Sequence, residues 1–468
     1  MILCIEKTEN INLEDFFENE LARKFEEMIA NKEKLYYDSE QLEELIIYYL
    51  EIGDISYAEL VVNYGLELHP NSIEIKTKKL EVLLELENYP EAKRLIEALQ
   101  ATGMENTDFL VCCAKYYSSL GNPMRSIEYC KRALALEEEE NFLHNFLADE
   151  YVNLGDPFNA LKHYKKALKY DPSDDYALEN IMVCYSDLNK GDEAIKFLNG
   201  YLDDFAFSET AWMEYGQFFF NRKNYHEAIK GFDYLLAINP LSVGVYSNKA
   251  ACYEALGEYE KAIHVYIDLL SIEYTKAYTF YKIGLCYKEL KSPIQALASF
   301  QKSLIEDPQF YLAMMEQSYL YEDMGSMKEA LHFAKEAALL NVGNLDYQKR
   351  LAFLYVDVGD FEQSLLVLQR LVEEEPNWFF NWYVFVEVLM LVGEYEQSVS
   401  TVKKALRIHP RAELFYQLSN SYHHLKMEDL SMQALEKAQI LDPSLLENMQ
   451  EKYPFIREVA FIKKEKKK

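Results

Sequence analysis

The sequence lacks the marks of an exported, membrane-spanning or nucleic-acid-binding protein. It holds 48 Lys and Arg against 78 Asp and Glu, a formal net charge of −30, which should repel nucleic acid and anionic lipid. Residues 1–10 contain no long apolar core and do not read as a secretory signal. The most apolar run, 378–392, contains Asn381 and Glu387 and is shorter than the roughly 18–20 residues of a membrane span. We therefore expect a cytoplasmic protein with no membrane span and no nucleic acid partner.

Recognisable catalytic and metal-binding motifs are also missing. The seven cysteines include no C-x-x-C pair, so we expect reduced thiols, and core packing is the favoured role for Cys184, Cys252 and Cys286. The nine histidines lack the H-x-x-x-H spacing of metal ligands. There is no P-loop and no G-x-S-x-G, and no strand is predicted that a G-x-G-x-x-G could follow. The sequence predicts no cofactor, no metal and no catalytic site.

A small residue recurs with a fixed period along most of the chain. The step is 34 residues each time, and a last copy, Ser431, follows after 33. Only Ala or Ser occupies the position, which suits a place where two helices approach closely. The copies are Ala58, Ala92, Ser126, Ala160, Ala194, Ala228, Ala262, Ala296, Ala330, Ser364 and Ser398.

Three other residue types keep the same period. Gly257 lies five residues before Ala262, where a turn between helices needs positive φ. Tyr253 lies nine residues before it, and most other copies also carry an aromatic ring there. Pro308 and Pro376 lie twelve residues after Ala296 and Ser364, where they end a second helix. The repeating unit therefore reads as helix, turn, helix, stop.

A 34-residue helix–turn–helix unit with these residues resembles the tetratricopeptide repeat. The resemblance implies an all-α fold, a right-handed superhelix of about twelve repeats between capping helices. We expect a leading segment over 1–38, repeats over 39–445, and a capping helix with a Lys-rich tail over 446–468. The weakest copy is 73–106, where Glu87 replaces glycine and the helices are expected to be slightly displaced. The predicted units start at residues 39, 73, 107, 141, 175, 209, 243, 277, 311, 345, 379 and 412.

In proteins of this family, certain first-helix positions line a concave groove that binds peptides. In the later units these positions are rich in aromatic and other apolar side chains, with carboxylates among them, which suits an apolar, neutral-to-basic peptide. The alternative is that several of these rings pack against the adjacent repeat. The predicted groove residues are Tyr278, Tyr281, Leu285, Met315, Tyr319, Phe353, Phe380, Tyr383 and Tyr416.

The resemblance implies a non-catalytic scaffold or adaptor that binds a protein segment. A structural protein that self-assembles through its end repeats is the main alternative, which makes a homo-oligomer an open option, and an enzyme is a remoter one. Some family members hold acidic peptides with a Lys and Asn clamp. Here Lys349 is followed four residues later by Phe353 rather than Asn, so that mode of binding is not expected.

Overall fold

The computed structural model describes residues 20–137 and 141–457. Throughout these ranges the chain consists of α-helices and short connections, with no strand among them, which confirms the expected all-α class. The chain divides into two compact units between Phe218 and Phe219, and the boundary falls inside helix α12, Glu209–Asn221. Each unit is a series of antiparallel helix pairs joined by short turns.

The first unit contains eleven described helices before α12. They are α1 Glu20–Asn31, α2 Ser39–Glu51, α3 Ile55–Leu68, α4 Ile73–Glu85, α5 Tyr89–Ala101, α6 Thr107–Ser119, α7 Pro123–Leu134, α8 Asn141–Asn153, α9 Pro157–Tyr170, α10 Asp175–Asp187 and α11 Gly191–Asp204.

The second unit continues the series after α12. Its helices are α13 Tyr225–Ile238, α14 Val243–Ala255, α15 Tyr259–Leu269, α16 Ala277–Glu289, α17 Pro293–Glu306, α18 Tyr311–Asp323, α19 Met327–Leu340, α20 Leu345–Asp357, α21 Phe361–Glu374, α22 Phe379–Leu391, α23 Tyr395–Ile408, α24 Ala412–His424, α25 Glu428–Leu441 and α26 Leu446–Lys452. A 3₁₀ turn, Pro443–Leu445, separates the last two.

The periodic residues build the joints of each helix pair. Gly257 has φ +73° and follows α14, and the next amide, of Glu258, donates to the carbonyl of Tyr253 at 2.9 Å. Ala262, Ala296 and Ala330 are fully buried. A side chain much larger than alanine or serine would have no space at these helix crossings, because protein interiors are close-packed.

The periodic prolines lie just beyond second helices, where no further helical hydrogen bond is needed. Pro308 comes two residues after the end of α17, and Pro376 two residues after the end of α21. The carbonyl of Pro376 accepts from the Trp382 indole at 2.9 Å and contacts the His409 ring nitrogen Nε2 at 3.0 Å. This proline therefore both ends one helix and ties the turn to the two ends of the next helix pair, α22 and α23.

The unit at 73–106 keeps the same helix positions as its neighbours, contrary to the expected displacement. Glu87 adopts φ +54°, the conformation that glycine supplies elsewhere, and α5 starts at Tyr89, three residues before the small Ala92, as α15 starts three before Ala262. The repeat turn thus imposes the left-handed conformation on a residue that does not favour it. Lys223, Lys291 and Lys426 do the same.

The two ends of the described chain are helical. Phe25 and Met28 of α1 are buried, and Leu21 packs against the same cluster. Residues 1–19 of the expected leading segment lie outside the described residues, as does the Lys-rich tail at 463–468. The division into a leading segment, twelve repeats and a terminal segment stays a prediction.

Candidate binding surface on the first helices of the second unit

Three of the predicted groove aromatics have open rings. Tyr278 on α16 is 57% exposed, Tyr319 on α18 is 38% exposed and Phe380 on α22 is 49% exposed. Each lies on the first helix of its pair. Single exposed rings are common on protein surfaces, so what marks these three is their shared placement on the first helices of the second unit.

Phe353, Phe380 and Tyr383 form an aromatic stripe that runs from α20 to α22. The ring centroids of Phe353 and Phe380 lie 5.8 Å apart, and those of Phe380 and Tyr383 lie 6.2 Å apart with nearly parallel planes. Because the rings already contact one another, they hold defined positions before any partner arrives. A preformed apolar surface loses little conformational entropy on binding.

Tyr319 lies between two cations of the protein itself. The guanidinium of Arg350 is 3.7 Å from its ring centroid and the Lys288 ammonium is 5.5 Å away. Arg350 is held in place by hydrogen bonds to Ser318 Oγ at 3.1 Å and Glu322 at 2.7 Å. The face of Tyr319 is therefore already in cation–π contact, and its exposed edge is what remains for a partner.

Ion pairs link consecutive first helices at a regular spacing. Lys282 pairs with Glu254 at 2.7 Å and Lys288 pairs with Glu316 at 2.6 Å. Arg350 continues the series with Glu322 at 2.7 Å. These three carboxylates are neutralised inside the protein, so they do not supply unpaired negative charge for a basic partner.

The structure corrects the placement of two predicted groove residues. Met315 is only 3% exposed and packs beside Met314 and Ala337 in the core. Tyr416 is fully buried, and its burial raises the pKa of its phenol. The fifth position of a first helix therefore faces its neighbours in these two copies, which was the alternative that the sequence left open.

Tyr281 and Leu285 are intermediate cases. The Tyr281 ring packs edge-on against Phe310 at 5.5 Å, and burial raises the pKa of its phenol to about 12. Leu285 is partly buried against the same cluster and also lines a shallow depression with Glu254 and Glu289. Both side chains are mainly structural, with one edge available at the surface.

The chain's own residues 452–456, here called the docked segment, occupy the surface beside Tyr383. Lys452 Nζ lies 2.9 Å from Glu387 Oε2 and donates to the Tyr383 phenol oxygen at 2.6 Å. The phenol of Tyr453 donates to the other Glu387 oxygen, and burial together with that carboxylate raises the pKa of Tyr453.

The docked segment also buries three apolar side chains. Phe455 stacks on the His423 ring with centroids 4.3 Å apart, and Tyr453, Phe455 and Ile456 are all less than 10% exposed. They belong to the same apolar cluster as Tyr416. Sequence reasoning did not predict this contact. The only sign of it in the sequence was the group of apolar residues after Pro454.

The described residues offer no grouping suited to metal chemistry, because no cluster of three or more His, Cys, Asp or Glu side chains converges among them. Six cysteines in the described ranges are buried free thiols. Burial raises the pKa of Cys184 to about 11 and that of Cys286 to about 12, so both are protonated at neutral pH. Among the described helices, none combines the length and apolarity that crossing a bilayer requires.

The fold and the repeated helix–turn–helix joints define a helical-repeat protein. Its candidate binding surface lies on the first helices of the second unit. Three segments, 151–213, 245–289 and 412–445, match family models described as tetratricopeptide repeat. These matches show that the chain contains tetratricopeptide repeats in these three segments.

Relatives with curated descriptions share this repeat. The TPR repeat-containing protein YpiA of Bacillus subtilis is 21% identical over 415 residues, 88% of this chain and 81% of that protein. Human sperm-associated antigen 1 is 28% identical over 146 residues, 31% of this chain and 16% of that protein. The chain spans a third or less of the length of several such relatives.

Solved structures of repeat proteins are also similar. The Cut9 and Hcn1 hetero-tetramer structure matches at 17% identity, with a TM-score of 0.32, over 95% of this chain and 93% of that chain.

Proposed function

We propose that this protein is a non-catalytic adaptor that binds a segment of another protein on the first helices of its second unit. The observation that carries the proposal is the set of open rings at Tyr278, Tyr319 and Phe380. Aromatic anchors on a preformed surface commonly dominate binding, each contributing about 2 kcal/mol when it is desolvated. The expected partner is an apolar, neutral-to-basic segment, and the expected location is the cytoplasm.

The charges around the surface support a partner other than an acidic peptide. A clamp for acidic peptides would need the Lys349 ammonium to be free. Lys349 instead pairs with Glu375 at 2.7 Å, and its ammonium lies 4.9 Å from the centroid of the Trp378 ring. Its ammonium is thus committed within the protein. Glu387 on α22 pairs with Lys452, a lysine that comes from outside the first helices.

Self-assembly through the ends of the repeat series is the alternative. An apolar end face would favour it, but α26 and the docked segment bury Met449, Tyr453 and Ile456 on the last helix pair. Sedimentation at two concentrations separates the two functions, because an adaptor keeps one mass at both.

A random-peptide display selection on the purified full-length chain tests the proposal. Wild type should enrich a consensus with apolar and basic residues, and Phe380→Ala and Tyr319→Ala should lose most of that enrichment. Tyr274→Ala is the matched control, because Tyr274 is fully exposed in the connection before α16 and lies outside the surface. Enrichment that survives Phe380→Ala and Tyr319→Ala unchanged would contradict the proposal, as would selection of no peptide by wild type.

A further inference from the structure

We propose that Tyr383, Glu387 and His423 form a receptor for a segment in which a lysine is followed by aromatic residues, and that the docked segment fills this receptor when no partner is bound. The inference rests on the proposed adaptor function and specifies its ligand. The docked segment, Lys-Tyr-Pro-Phe-Ile, is then an internal competitor of the partner.

The lysine half of the receptor has two components. Glu387 supplies a carboxylate oxygen 2.9 Å from the Lys452 ammonium, and Tyr383 supplies both an acceptor at 2.6 Å and a ring face at 4.7 Å. An ammonium over an aromatic face with a carboxylate beside it is bound by charge, hydrogen bond and cation–π attraction together. An alanine at this place in a ligand would satisfy none of them, and a serine could supply only the hydrogen bond.

The aromatic half lies on α24, the first helix of the next pair after the one that carries Tyr383 and Glu387. His423 stacks on Phe455 at 4.3 Å, with ring planes 14° apart. Gln417 donates to Glu387 at 2.7 Å and to the Tyr383 carbonyl at 2.9 Å, which fixes the carboxylate between the two halves. The receptor therefore reads a lysine and an aromatic ring at a set spacing.

Glu387 makes the occupied site selective for a cation. The Glu254, Glu316 and Glu322 carboxylates take their cations from neighbouring first helices, whereas Glu387 takes Lys452 from the docked segment. If the segment leaves, the Glu387 side chain, 20% exposed in the occupied state, loses its counter-charge. Such a carboxylate favours a replacement lysine, because an uncompensated half-buried charge is costly.

The receptor is continuous with the open surface. Tyr383 contacts Lys452 on one side and Phe380 of the aromatic stripe on the other. A partner segment that displaces residues 452–456 would therefore extend over Phe380 and Phe353. The docked segment covers one end of this surface and leaves the other end free.

The test uses the full-length chain and a fluorescein-labelled peptide of residues 449–457, Met-Gln-Glu-Lys-Tyr-Pro-Phe-Ile-Arg, followed by anisotropy. In Lys452→Glu, the exposed side chain faces Glu387 with like charge and the docked segment is released. An internal segment that fills its site nine-tenths of the time weakens an external ligand about tenfold, so this variant should bind the peptide about tenfold more tightly than wild type. Lys404→Glu, an equal charge change on an exposed helix position, should bind as wild type does.

Adding Glu387→Gln to Lys452→Glu should abolish the gain, and a peptide with Glu in place of its Lys should not bind either variant. Equal affinity of wild type and Lys452→Glu would overturn the inference and make the docked segment a fixed cap. Phe455→Ala, which removes the His423 contact, should give the same gain and serves if Lys452→Glu loses its helical circular dichroism. If the internal-competitor inference fails in this way, the peptide-display result with Phe380→Ala and Tyr319→Ala is unaffected. Failure of this inference is therefore distinguishable from failure of the proposed adaptor function.

Discussion

The Lys452 ammonium donates to the Tyr383 phenol oxygen at 2.6 Å across a separation of 69 residues. Tyr383 is also the last ring of the aromatic stripe, 6.2 Å from Phe380. One tyrosine thus joins the occupied and the open parts of the candidate binding surface. The stability of the repeat joints and the availability of this surface are separable properties, and each is open to experiment.

Ala262 limits how closely α15 can approach its partner helix. Ala262→Leu should lower the free energy of unfolding by about 1–3 kcal/mol, because the added methyl groups have no space at a fully buried position. Ala255→Leu, at the exposed end of α14, is the matched control. This substitution should change the free energy of unfolding by less than about 0.5 kcal/mol. Urea unfolding measures both. Equal midpoints would show that the small residue is not needed at the joint.

Gly284 and Gly244 predict opposite effects of the same substitution. A Cβ on Gly284 would lie 2.4 Å from Cε1 of the buried Phe300, whereas a Cβ on Gly244 meets nothing within 4 Å. Gly284→Ala should therefore destabilise the chain by about 1–3 kcal/mol. Gly244→Ala should stabilise it by about 0.5–1 kcal/mol through helix propensity. Thermal unfolding followed by circular dichroism tests the pair, and shifts of the same sign in both would refute the packing described around Phe300.

Arg350 connects α20 to α18 through Ser318, Glu322 and the Tyr319 ring. Arg350→Ala should cost about 1–3 kcal/mol, since it removes charge-assisted hydrogen bonds from a side chain that is only 11% exposed. Lys261→Ala breaks a pair with Glu258 in which the lysine is 61% exposed, so it should change the free energy of unfolding far less than Arg350→Ala does. Chemical denaturation measures the free energy of unfolding of both variants. A decrease for Arg350→Ala as small as that for Lys261→Ala would mean that the ion pair between α18 and α20 adds no stability.

His163 makes the first unit sensitive to acid. Its Nδ1 lies 3.1 Å from His144 Nδ1, and burial followed by the charges of His144 and nearby lysines lowers the pKa of His163 to about 4. The unfolded chain takes up this proton near pH 6.5, so it binds more protons than the folded chain between about pH 6.5 and 4. The free energy of unfolding should therefore fall as the pH drops through that range.

The contribution of His163 should be about 1 kcal/mol after allowance for solvent screening. His163→Gln removes the titrating ring and should flatten this part of the pH dependence, whereas His226→Gln, at an exposed position, should leave it as in wild type. Urea titrations at pH 4.5 and 7 provide the comparison. An unchanged slope in His163→Gln would exclude this histidine as the acid-sensitive group.

The positions of the helices followed from local rules. A small residue recurs in every copy, and a turn glycine and a helix-ending proline recur in many of them at fixed distances, so each pair could be placed without knowledge of the others. Glu87 shows that the period outweighs residue preference, since it adopts φ +54° where the sequence suggested a displaced unit. These short-range signals are why the all-α repeat class could be predicted from the sequence, and the structure confirms it.

The surface was harder to predict because it depends on contacts between copies. Met315 and Tyr416 occupy the same fifth position as Tyr383, yet both are buried while Tyr383 borders the open stripe. The difference comes from which neighbours cover each side chain, and periodicity does not contain that information. The contact of Lys452 with Glu387 is non-local and breaks the period, so no spacing rule could find it.

The most direct test of the binding surface is hydrogen–deuterium exchange of the full-length chain with and without the peptide most enriched in the display selection. Binding on the first helices should slow exchange in α16, α20 and α22, Ala277–Glu289, Leu345–Asp357 and Phe379–Leu391, and leave the second helix α21, Phe361–Glu374, unchanged. Protection confined to second helices, with no change in α20 and α22 at saturating peptide, would contradict the account.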